Sequence, residues 1–195
     1  MANFAGFQQS VQYPAVALPG DWYGLPLYNA GAGYIVDANS LNGGILIGSF
    51  CWGLLGTNNT QVTQIQGSNT QIAGFAVKAQ EGVWADASIP FGYSMMVPAT
   101  RQIEVVSNGS FYAVCPSLNG GGVIVANDII IINTTTGALA SQTSATIPSG
   151  YVAAITGGKQ WIVINPSPTA ATSANAITNA LTTTNMVVIS NVINY

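Results

Sequence analysis

Gln102-Ile103-Glu104-Val105-Val106, then Ser107-Asn108-Gly109, then Ser110-Phe111-Tyr112-Ala113-Val114-Cys115 is the stretch that decides the fold. On both sides of the turn, β-branched and aromatic side chains suit a pleated strand, because branching at Cβ restricts χ1 and crowds a helix. Asn108-Gly109 is the best hairpin signal in the chain, since both residues tolerate positive φ. The spacing predicts strands over Gln102–Val106 and Gly109–Cys115.

The same grammar extends outward in both directions. Short apolar or β-branched runs predict strands over Tyr34–Asp37, Gly44–Phe50, Val62–Gln66, Ile72–Lys78, Ser94–Val97, Ile129–Asn133, Tyr151–Ile155, Gln160–Ile164 and Met186–Asn191. Asn42-Gly43-Gly44, Asn119-Gly120-Gly121-Gly122, Thr136-Gly137 and Gly157-Gly158 mark turns between them. Turn signals about ten residues apart point to an all-β protein, a β-sandwich or a barrel. Ile129-Ile130-Ile131-Ile132 is apolar on both faces, so its strand is expected to be buried on both sides or covered on one by a partner chain. One helix candidate exists: Ala170, Ala174, Ile177 and Leu181 share a helical face. The threonines around them weaken it, and an irregular loop is the alternative.

Residues 1–20 lack this periodicity. Gln8-Gln9-Ser10-Val11-Gln12-Tyr13-Pro14 reads as an extended N-terminal arm that becomes ordered against a neighbour. Residues 21–195 read as a single β domain. There is no basic-then-apolar leader, and the most apolar window, Gly43 to Gly56, is too short and glycine-rich to span a membrane. The expectation is a soluble protein that stays in the cytoplasm where it is made, at least until assembly, with no membrane association.

Composition then narrows the function. The 195 residues are 49% hydrophobic and 5% charged, with a net charge of −3; ordinary soluble domains carry about 25% charged residues. The chain has no histidine, so Ser-His-Asp and Cys-His constellations are impossible. Lys78, Arg101 and Lys159 are scattered, which disfavours nucleic acid, whose phosphates need clustered bases. Glu81 and Asp86 flank Trp84 and could form a glycosidase-like carboxylate pair, but a polar loop between strands is the simpler reading. No P-loop follows the glycines at 120–122, and Asp37, Asp86 and Asp128 form no calcium motif. The expectation is no enzyme, no cofactor and no metal. The sequons at Asn58, Asn108 and Asn133 matter only in a secreted eukaryotic protein. Cys51 and Cys115 read as buried thiols, with a disulfide left open. Trp52, Trp84 and Trp161 are expected in the core. Trp22 and Tyr23 suit an interface as well as a core, because large amphipathic rings make good anchors.

The order of motifs carries a resemblance. Tyr13-Pro14-Ala15-Val16-Ala17 with Gly20-Asp21-Trp22 resembles the opening of tailed-phage structural cement (capsid decoration) proteins. Gly44-Ile45-Leu46-Ile47-Gly48-Ser49-Phe50-Cys51-Trp52 resembles that family's Gly-x-x-x-Gly-x-Phe-x-Trp strand, with Cys51 where a small residue is usual. Gly74-Phe75-Ala76-Val77 and Gly82-Val83-Trp84-Ala85 are similar to its paired β segments. Val125-Ala126-Asn127-Asp128 followed by Thr136-Gly137 matches its Ala-Asn-Asp and Thr-Gly hairpin, and Met186–Ser190 is similar to its final strand. Residues 165–185 depart from the pattern as an insertion before the last strand.

The resemblance implies an oligomeric β-sandwich or jelly-roll-like protein without enzymatic activity. It would sit on the outside of an icosahedral head and bridge neighbouring major capsid subunits. By analogy it implies a homotrimer rather than a homodimer. The interaction residues expected on this reading are Gln8, Tyr13, Pro14, Trp22 and Tyr23. Another virion β domain, at the tail or fibre base or binding carbohydrate on the head, is the alternative.

Overall fold

The computed structural model describes residues 20, 21, 23, 33–56, 60–77, 96–114, 124–143, 146–166 and 186–192. These form an all-β structure, as expected, and its layers are a closed barrel and an open sheet. The helix candidate over 170–181, Cys115, Trp84, the Glu81–Asp86 pair and the segment Gln8–Pro14 lie outside the described residues.

The barrel strands are β1 (Tyr34–Val36), β3 (Phe50–Leu54), β4 (Gln61–Thr63), β5 (Thr70–Val77) and β7 (Gln102–Val106). β1 runs parallel to β4, with Ile35 opposite Gln61. β4 then pairs antiparallel with β3, β3 with β5, and β5 with β7. β7 closes the ring on β1 through Tyr34↔Ile103. Closure leaves no strand edge in this layer without a partner. Val36, Cys51, Val62, Ala76, Ile103 and Val105 share one apolar cluster. Ile45 and Val97 join it from a two-stranded ribbon, β2 (Gly44–Leu46) against β6 (Met96–Pro98).

The second layer is built from β8 (Ser110–Val114), β9 (Ile129–Asn133), β10 (Leu139–Gln142), β11 (Tyr151–Ala153), β14 (Ile162–Asn165) and β15 (Met186–Ser190). Their order is β10-β9-β14-β15-β8, with β11 also paired to β9. A short hairpin, β12 (Ile155–Thr156) with β13 (Lys159–Gln160), connects β11 to β14. Ile130, Ile131 and Ile132 are fully buried on alternating faces of β9, so the four-isoleucine run is a two-sided core strand.

The layers share a core. Phe50, Trp52, Phe75, Val77 and Val106 face outward from the barrel and pack with Phe111, Ala113, Ile130, Ile132, Trp161, Val163, Val187 and Ile189 of the sheet layer. Trp52 and Trp161 are therefore core residues, as expected. Alternation alone would put Ile72 and Phe75 on opposite faces. A register shift solves this: Cys51 faces Gly74 whereas Trp52 faces Ile72, so Ala73 is an extra residue in β5. Ile72 and Phe75 then both reach the shared core while Ala73 and Ala76 line the barrel cluster. At Gly74 a Cβ would lie 2.3 Å from the Val106 carbonyl oxygen, so β5 and β7 meet there only because the residue is glycine.

Several boundaries and pairings differ from the sequence reading. The Gly44–Phe50 run is cut at Gly48, where φ is +84°, into β2 and β3. β10 was not signalled, because Leu139-Ala140-Ser141-Gln142 lacks β-branched residues; it is set by its pairing with β9. The Asn108-Gly109 turn closes no hairpin. Both edges of β7 are taken by β5 and β1, and β8 pairs instead with β15 over Met186↔Val114 to Ser190↔Ser110. The turn carries the chain from barrel to sheet, since turn propensity fixes where a chain reverses and not which strands then pair.

Asn191 fastens that crossing. Its Oδ1 accepts the Gly109 N–H at 3.0 Å. Its Nδ2 faces the Ser107 carbonyl at 2.7 Å, Thr156 Oγ1 at 3.1 Å and Asn108 Oδ1 at 3.3 Å. Trp161 Nε1 donates to the same Thr156 Oγ1 at 2.7 Å. The buried indole, a hairpin residue and the corner thus form one network that satisfies polar atoms at the layer junction.

Candidate functional site

The described part of the N-terminal region runs along the free edge of β8. Gly20 N–H donates to the Tyr112 carbonyl at 2.8 Å, Tyr112 N–H to the Asp21 carbonyl at 2.9 Å, and Tyr23 N–H to the Ser110 carbonyl at 2.9 Å. This is antiparallel addition with a bulge, since Gly20 and Asp21 both face Tyr112. Gly20 takes the left-handed place at φ +86°. A Cβ there would sit 2.4 Å from Ile47 Cγ2. The Gly-Asp pair of the opening motif therefore has a physical reason: the glycine turns against the Ile47–Gly48 corner and the next residues cover an edge.

Alternation along β8 turns Phe111 and Ala113 into the shared core and Tyr112 to the other face. Tyr23 packs edge-on against Tyr112, with ring centroids 5.6 Å apart and planes at 77°. Tyr23 remains 38% exposed, which suits a contact better than a core role. Burial first, then the neighbouring Tyr23 and Asp21, push the Tyr112 phenol above its ordinary value. Tyr112 was missed in sequence, because its ring contact with Tyr23 joins segments distant in the chain. Of the other expected interaction residues, Gln8, Tyr13, Pro14 and Trp22 lie outside the described residues.

Other exposed large apolar side chains are spread over both layers. Ile35, Leu46 and Leu55 lie on the barrel side, and Val125, Ile155 and Ile164 on the sheet side. Among the described residues these side chains are thus shared between the two layers rather than confined to one.

Three further candidates among the described residues, Asp128, Asn133 and Cys51, are structural. Asp128 is buried; its Oδ2 accepts Val125 N–H at 2.9 Å and its Oδ1 accepts the Thr143 hydroxyl at 2.7 Å. Together with Asn127 at φ +72°, it shapes the entry to β9. Asn133 Oδ1 accepts the N–H groups of Thr135 and Thr136, and Gly137 follows at φ +72°. A Cβ on Gly137 would lie 2.6 Å from the Gln64 carbonyl oxygen, so the Thr-Gly turn docks on the barrel. Cys51 is a free thiol inside the barrel cluster, and burial pushes its pKa far up, which makes it inert. Among the described residues no group of three or more potential ligands is placed to hold a metal ion. No helix among them is long and apolar enough to cross a membrane.

With this geometry the comparisons agree in one direction. The family model described as structural cement protein (E217 gp24/Pam3 gp6) matches residues 7–189. A chain in a solved structure of the capsid of Myoviridae phage XM1 has the same fold, with a TM-score of 0.54 over 95% of this chain and 96% of that one at 13% identity. No curated protein matches the sequence. A family match over nearly the whole length makes this a structural protein of the virion: the chain belongs to the phage structural cement protein family.

Proposed function

We propose that this protein binds the outer surface of an icosahedral phage head and bridges neighbouring major capsid subunits, thereby stabilising the expanded shell. The observation that carries this reading is the family match over residues 7–189. The physical argument starts from the shared core. A barrel and a sheet joined by Phe50, Phe75, Phe111 and Trp161 resist sliding past each other, so force entering one layer is passed to the other. Such a body suits a clamp between capsomers pushed apart by packaged DNA.

The energetics follow from linkage. A ligand that binds only the expanded shell stabilises it by RT ln(1 + [L]/Kd) per site, about 2.7 kcal/mol at a hundredfold excess over Kd. A homotrimer touching several capsomers gains avidity with no new type of contact. With 5% charged residues in the chain, these contacts rest on backbone, amide, hydroxyl and aromatic groups and depend weakly on salt. We place Tyr23, and with it Trp22 and the arm residues Gln8, Tyr13 and Pro14, at the capsid contact; residues 20, 21 and 23 already show edge addition to a strand.

Mature capsids lacking this protein provide the test. The purified chain should bind them at micromolar concentration, in fixed ratio to the major capsid protein, and raise the temperature at which they open. Absence of binding, or only a handful of copies per native particle, would refute the bridging role.

A further inference from the structure

Asn-Gly is the dipeptide most prone to succinimide formation, because glycine puts no side chain in the way of its own backbone nitrogen. We propose that Asn108-Gly109 is a latent succinimide-forming site that Asn191 holds closed in the folded protein. The reaction needs two things. The Gly109 N–H must lose its proton to solvent hydroxide, and the nitrogen must then attack Cγ of Asn108. A C–N bond forms to the ring, the Cγ–Nδ2 bond breaks, and Nδ2 leaves as ammonia after taking up a proton. Water then opens the ring to an aspartyl or isoaspartyl linkage, adding one negative charge.

Asn191 opposes both requirements. Its Oδ1 engages the Gly109 N–H at 3.0 Å, and Gly109 is itself buried, so the proton is bonded and out of reach of hydroxide. Its Nδ2 lies 3.3 Å from Asn108 Oδ1 and holds the Asn108 carboxamide toward Asn191. Asn191 is fixed in turn by the Ser107 carbonyl and Thr156 Oγ1 and is 3% exposed, so the clamp does not swing away. The site is therefore the layer crossing itself. Conversion there would insert a charge, and in the isoaspartyl form an extra backbone atom, where barrel meets sheet. A structural protein that must outlast its synthesis by a long interval gains from such a clamp.

The test incubates the full chain at mildly alkaline pH and follows Asn108 and Asn42 by peptide mass spectrometry. Asn42-Gly43 serves as an internal clock for general unfolding, and a synthetic peptide of residues 102–114 gives the unprotected rate. The folded protein should convert at Asn108 far more slowly than the peptide. Asn191→Ala should raise the Asn108 rate by about tenfold or more, equivalent to about 1.4 kcal/mol off the barrier, and leave the Asn42 rate unchanged. Wild-type conversion at the peptide's rate would overturn the proposal, and that comparison needs no variant to fold. An Asn108 rate unaltered in Asn191→Ala would also overturn it, as would Asn108 and Asn42 rates that rise together.

Discussion

Phe75→Ala is the perturbation that examines the architecture most directly. Phe75 is fully buried on β5, and its ring meets Phe50 at 5.2 Å, Phe111 at 5.3 Å and Trp161 at 5.8 Å between centroids. It thus joins a barrel strand to rings on β8 and beside β14 of the sheet layer. Truncation removes the transfer free energy of the ring and leaves a cavity whose walls belong to two layers. Buried Phe→Ala changes cost about 3–5 kcal/mol. The loss of three aromatic pairs places this site in the upper part of that range. For a domain of this size each kcal/mol lowers Tm by about 2–4 °C, so a loss of about 4 kcal/mol predicts a fall of roughly 8–16 °C. Calorimetry of the wild type should show one transition, because neither layer keeps a complete core without the other, and the variant should also melt in one step. Phe75→Leu, which retains most of the buried apolar volume, should cost much less. Two separated wild-type transitions, or a Phe75→Ala shift below about 3 °C, less than 2 kcal/mol on the same conversion, would show that the layers are independent and that the shared core is misjudged.

The other expectations are more local. Gly74→Ala should destabilise strongly, since its Cβ would meet the Val106 carbonyl at 2.3 Å; unchanged urea unfolding would mean that β5 and β7 separate freely. Cys51 should be silent toward a thiol reagent in the native protein and react on denaturation, because burial disfavours the thiolate. Burial also raises the Glu104 pKa above its ordinary value of 4.5, so the folded state holds that proton more tightly than the unfolded chain. Stability from this group therefore rises as pH falls through the raised value toward 4.5 and is lost above it; Tm measured against pH for wild type and Glu104→Gln should converge on the acid side. Tyr23→Ala should shift Tm by no more than about 2 °C, as for other surface changes of about 0.5 kcal/mol, and weaken capsid attachment. A large fall in Tm with unaltered attachment would make Tyr23 a packing residue.

The amino-acid sequence by itself determined where most strands lie and which chemistry is impossible. β-branched runs between glycine and asparagine turns placed most strands to within a few residues, because side-chain sterics act locally. Ile129–Ile132 announced a strand apolar on both faces, and the absence of histidine removed Ser-His-Asp and Cys-His constellations. The motif glycines were also legible as positions, although Gly74 and Gly137 acquire their reason only from a carbonyl on a strand or loop distant in the chain. What tertiary structure alone decided is partnership. Asn108-Gly109 signals a reversal in any context, yet β7 pairs with β5 and β1 while β8 pairs with β15, because pairing energy comes from side chains far away in sequence. The bulge at Ala73, the pairing that makes Leu139–Gln142 a strand, the edge addition of Gly20 and Asp21, and the convergence of Asn191, Thr156 and Trp161 on one corner all follow from the same fact. Turns and strands are set by each residue's own backbone preferences, whereas register and closure are set by which distant surfaces bury one another.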